Sequence, residues 1–132
     1  MSRLAKVHLA IEIIASYLLT RWYLRQGPLP GVVARLRAAG RSPLTGPLGA
    51  DQAPRLGRAV GRTLDGLPAD SRCLFRSLVL LRVLARRGVA GSLVIAACPE
   101  SRNGLDAHAW VEVKGRPVLP AGGPGYGRLV TL

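Results

Sequence analysis

Acidic side chains are scarce: 7 Asp and Glu stand against 19 Lys and Arg, and the 132-residue chain carries a formal net charge of +12. Aromatic side chains are few as well, with one Phe, two Trp and three Tyr. The cation excess invites acidic or polyanionic partners. The cations are scattered singly or in pairs, however, and the rings that would stack on bases are missing, so no specific nucleic-acid binding is expected. Cysteine is limited to Cys73 and Cys98 and no signal-peptide pattern is present, which argues against a disulfide framework and for reduced thiols in the cytoplasm. A clean apolar run of ~20 residues is also lacking. The most membrane-like stretch, 7–24, is broken by His8, Glu12 and Arg21. Its apolar circumference and the basic charge leave a peripheral membrane contact open. The length suits a single domain, 1–132.

Hydrophobic spacing supplies the elements. Leu4, Val7, Ile11, Ile14, Leu18 and Trp22 recur at the helix period and predict a helix over 2–25. Leu9, Ile13, Tyr17 and Leu24 occupy its other faces, so it is expected to be buried on more than one side or to dock a partner. Gly27, Pro28, Pro30 and Gly31 end it, and 32–39 reads as a short helix closed by Gly40. Pro43, Gly46, Pro47 and Gly49 mark 41–53 as the longest loop. Leu56, Val60, Leu64 and Leu67 predict a third helix over 54–67, weakened by Gly57, Gly61 and Gly66. The expected division is a helical part with its loop, 1–53, and a core, 54–132.

Cys73 stands at the threshold of a fourth helix. Asp70 and Ser71 are N-cap types, and Gly88 after Arg86 and Arg87 is a C-terminal stop. The unpaired N–H groups and partial positive charge of a helix N-terminus favour thiolate over thiol, and Arg72 and Arg76 lie close by. Cys73 is therefore a candidate nucleophile; the alternative is a buried structural cysteine.

Beyond Gly88 the period changes. Residues 92–98 form a short apolar run ending at Pro99, suited to a strand buried on both faces. A turn containing Asn103 and Gly104 leads to a second strand over 107–113, and Lys114-Gly115 closes a hairpin into 116–119. Pro117 marks that third strand as an edge, and 128–132 can add a last one. Helices first and strands after them define an α+β domain.

His108 on the second strand is one of only two histidines, the other being His8. A base can reach a helix-borne thiol across space, so Cys73 and His108 together form a candidate thiolate–imidazolium pair. Either residue alone has a structural explanation. A zinc site built from Cys73, Cys98 and His108 would need ligand spacing that is absent, with no CxxC or HxxxH, so neither metal nor cofactor is expected.

The run CLFRSLVLLRVLARRGVAGSLVIAAC followed by LDAHAWVEVKGRPV resembles the transglutaminase-like cysteine peptidases of lasso peptide biosynthesis, over roughly 71–118. In them a Cys opens a Leu- and Arg-rich helix and an AHAWVE strand carries the His. The resemblance implies a papain/transglutaminase-like core, with Cys73 as nucleophile and His108 as base. The implied task is to remove the leader from a ribosomally made precursor before an ATP-dependent cyclase forms the macrolactam. It also implies the split form of the family, in which a separate recognition protein delivers the leader.

Two departures stand out. The family's imidazole-orienting Asp falls where this chain has Leu119 and Pro120, and the papain-like oxyanion Gln falls at Leu67. Asp106 and Glu112 share the strand face of His108 but lie nearly 7 Å along it, too far for a direct hydrogen bond. The missing Asp motivates a rival reading, a non-catalytic scaffold of the same complex. A transglutaminase or acyltransferase using the same thiolate is the nearest enzymatic alternative.

Overall fold

A computed structural model describes residues 3–38, 52–66, 73–101, 104–119 and 127–132, with the backbone alone at 98–101 and 104–107. Among them are helices α1 (Arg3–Gln26), α2 (Leu29–Arg37), α3 (Ala53–Asp65) and α4 (Cys73–Ala85). Strands β1 (Ser92–Ser101), β2 (Gly104–Val113), β3 (Arg116–Pro117) and β4 (Gly127–Thr131) follow. They form one antiparallel sheet in the order β3-β2-β1-β4. The α+β architecture expected from the sequence is the one observed. Of the loop expected over 41–53, residues 41–51 lie outside the described residues and Ala53 already opens α3; the N-cap candidates Asp70 and Ser71 also lie outside them, as do Arg72, Leu67 and Pro120.

Helix α4 is the hub, packed on α1, α2, α3 and both central strands. Leu78, Val79, Leu80, Leu81, Val83 and Leu84 are all sealed from solvent, so apolar residues cover most of its circumference. Its end follows the reading from Gly88. Val89 N–H donates to Leu84 C=O and Gly88 N–H to Ala85 C=O, a Schellman closure with Gly88 at φ 77°.

Helices α2 and α3 depart from the sequence reading in local detail. Helix α2 starts at Leu29 rather than Val32, because Pro30 in the first turn needs no N–H partner and has its φ preset for a helix. In α3, Gly57 is a packing device. A Cβ on Gly57 would collide with the carbonyl oxygen of Val118, so glycine lets α3 lie against the chain leaving β3.

Helix α1 reverses the expected emphasis. Ile13, Ser16, Tyr17 and Thr20 form its buried face, while Leu4, Val7, Ile11, Leu18 and Trp22, five of the six residues of the most regular stripe, remain exposed. The buried face is pinned by Glu12, which receives hydrogen bonds from Arg86 (2.7 Å) and Arg87 (2.8 Å) at the end of α4.

In the sheet, β1 is central and buried on both sides, with Leu93 in the main core and Val94 and Ala96 on the far face. Cys98 opposes Asp106, and after a register shift Ser101 opposes Gly104, so β1 runs past Pro99. Lys114 (φ 52°) and Gly115 (φ 78°) give the two left-handed residues of a tight hairpin turn. As Pro117 implied, β3 is a two-residue edge.

Candidate active site

Three contacts fix the first turn of α4. Phe75 packs on Tyr17 of α1, with ring centroids 5.6 Å apart. Arg76 pairs with Asp65 at the end of α3, tying together the two helices that flank the undescribed connection. Ser77 Oγ donates to the Cys73 carbonyl at 2.7 Å, closing the turn on itself. The half-buried cysteine is thus held at a defined point on the helix start.

That point is the outer edge of β2. The Ala109 backbone N–H donates to Cys73 Sγ at 3.3 Å. Val118 N–H binds Val111 C=O, and Ala109, two residues earlier, turns its polar groups to the same side of β2. Regular pairing with β3 has ended there, and the sulfur takes the hydrogen bond a neighbouring strand would have accepted. The Ala109 nitrogen is bonded to the His108 carbonyl carbon, ~1.3 Å away. The sulfur thus meets the peptide unit between His108 and Ala109, 36 positions on in the sequence; it touches backbone and not the imidazole.

His108 itself stands on the sheet face turned away from α4. Ala109, Val111 and Val113 join the core under α4, whereas Trp110 packs with Val94 and Ala96 on the opposite side. His108 lies beside Trp110, with ring centroids 5.8 Å apart and planes inclined by 33°. Trp110 is fixed in turn: its Nε1–H donates to Glu112 Oε2 at 3.0 Å, and Arg128 of β4 grips the same carboxylate with two N–H groups at 2.7 and 3.2 Å. Burial acts to raise the pKa of Glu112, but the hydrogen bonds from Trp110 and Arg128 and the Arg128 charge outweigh it, holding the carboxyl below its usual range.

The face shared by His108 and Glu112 was legible from the period of two, and Glu112 is committed to Trp110 and Arg128, in line with its excessive distance from His108. The participation of Trp110 and Arg128 was not legible. Trp110 sat in the AHAWVE run, but Arg128 comes from a strand that joins the sheet on the far side of β1. Leu119, at one of the positions of the family's Asp, packs against both apolar clusters. The side chains of Cys98 and Asp106 lie outside the described residues, and no three described His, Cys, Asp or Glu converge as metal ligands. Nor is any described helix long and apolar enough to cross a membrane.

A cysteine at a helix start, hydrogen-bonded to a histidine-bearing strand of an antiparallel sheet, is a layout that serves thiol-based acyl transfer. The family model of the transglutaminase-like superfamily matches residues 16–131. The chain belongs to that superfamily, which includes cysteine peptidases and acyltransferases. No curated protein and no solved structure matches it.

Proposed function

We propose that the protein is a cysteine peptidase that removes the leader from a ribosomally made lasso precursor, with Cys73 as nucleophile and His108 as base. The observation that carries this reading is the Ala109 N–H to Cys73 Sγ hydrogen bond, which joins the sulfur to the backbone of the histidine strand. The superfamily match and the AHAWVE run support it.

In this mechanism the Cys73 sulfur attacks the carbonyl carbon of the last leader residue. The carbon–nitrogen bond breaks, and His108 gives its proton to the departing amine of the core peptide, a role that requires its ring to turn from the Trp110 face round the edge of β2 to the sulfur. The Cys73 backbone N–H at the start of α4 is one donor to the developing oxyanion. Water, deprotonated by His108, then hydrolyses the thioester. No carboxylate stands at Leu119, and in the observed position the imidazole rests beside Trp110, which Glu112 and Arg128 lock. A separate recognition protein would deliver the leader, and an ATP-dependent cyclase would take the freed core.

Precursor, recognition protein and enzyme are incubated and the products weighed by mass spectrometry. Cleavage at one bond, lost in both Cys73→Ala and His108→Ala, is expected. Cleavage that survives both substitutions overturns the mechanism. An amine-linked product in place of a hydrolysed one reassigns the chain to acyl transfer.

A further inference from the structure

Helices α1 and α3 enclose an open cavity of about 540 Å³, separate from the residues around Cys73. Its floor is apolar, formed by Leu9 of α1 with Leu56 and Ala59 of α3, and its walls carry Lys6, Arg55, Arg58 and Arg62. Spacings of three and four residues align the three arginines on one face of α3, where Arg58 and Arg62 repel each other. Among the described residues no acidic side chain lines the cavity. The described carboxylates are engaged elsewhere, Glu12 with Arg86 and Arg87, Asp65 with Arg76, and Glu112 with Arg128. Four like charges around an apolar floor therefore lack an internal counter-charge among the described residues.

We propose that this groove binds an acidic amphipathic segment of a partner polypeptide. Its carboxylates would meet Lys6, Arg55, Arg58 and Arg62, and its apolar side chains would sit on Leu9, Leu56 and Ala59. Beside Lys6 and Ala10 of the lining, helical spacing puts Ile14 and then exposed Val7 and Ile11 next around α1, so a helix longer than the cavity finds apolar footing beyond its lip. A second copy is a poor occupant, because each chain carries a net charge of +12 and would add cations to cations. Nucleic acid is disfavoured because no aromatic side chain among the described residues lines the groove for stacking. A bilayer surface is disfavoured because the apolar floor is recessed between two helices. The proposal does not depend on the chemistry of Cys73.

The test uses the full chain carrying Cys73→Ala, so binding is read without turnover. The probe is a fluorescein-labelled synthetic helix of about 18 residues, with Leu at three- and four-residue spacing and Glu elsewhere. Fluorescence anisotropy is expected to show saturable binding that weakens with salt. Arg58→Glu should lower affinity at least about tenfold, while Arg116→Glu, an equal charge change on exposed β3, should lower it less than about twofold. Replacing the probe's Glu by Gln, or its Leu by Ser, should abolish binding. Both charge reversals are on exposed positions, and matched melting curves establish that the variants are folded. Equal effects of Arg58→Glu and Arg116→Glu overturn the proposal. So does tighter binding of oligodeoxythymidine, or capture by phosphatidylglycerol vesicles, with the same dependence on Arg58.

Discussion

The backbone N–H of Ala109 is hydrogen-bonded to Cys73 Sγ at 3.3 Å, across 36 positions of sequence. It joins α4 to β2 at the one peptide unit that also belongs to His108.

Ala109→Pro tests that link. The N–H it removes points away from β1, so the ladder with β1 keeps its bonds, and the preceding residue is already extended, as a proline requires. Alkylation of Cys73 by iodoacetamide should slow by about fivefold, the equivalent of one hydrogen bond of roughly 1 kcal/mol. Melting curves report separately on the fold. An unchanged rate in a folded variant would show that the bond does nothing for the sulfur.

Glu112→Gln should change the response to acid. A carboxyl whose folded pKa lies below its unfolded value of ~4.3 contributes stability that is fully present above that value and disappears as pH falls through the folded pKa. The parent should therefore lose thermal stability between pH 5 and the folded pKa more steeply than Glu112→Gln. Identical melting profiles against pH would contradict this.

Gly57→Ala should destabilise the protein by about 1–3 kcal/mol, the usual cost of overpacking. The added methyl meets the Val118 carbonyl, and backbone has to move. Gly27→Ala, where nothing lies within 4 Å, is the control and should change denaturant midpoints little.

Glu12→Gln should cost about 3 kcal/mol, because it leaves two partly buried guanidinium groups without their carboxylate. Urea unfolding measures this. A loss below about 1 kcal/mol would mean that Arg86 and Arg87 find water or another acceptor.

Much of the fold was written in local patterns. The Gly88 stop, the Lys114-Gly115 turn, the edge character of Pro117 and the change from helix to strand period all depend on neighbours within a few residues, and each reappears in the structure. The α1 stripe shows where such reading ends. Periodicity reports that a helix has an apolar face, and when two faces qualify it cannot say which one meets the core. Burial chose the face of Ile13 and Tyr17, because Glu12 on its flank meets Arg86 and Arg87 there.

For the candidate site the same division holds. Residue type and local backbone are enough to nominate two residues from the chain alone, a cysteine at a helix start and a histidine on a strand. It took the folded chain to show that the sulfur meets the edge of β2 through Ala109, that the histidine stands with Trp110 on the face away from α4, and that Arg128 holds Glu112. Those contacts join strands and helices far apart in the chain. The register and packing that create them are properties of the assembled sheet and not of any segment.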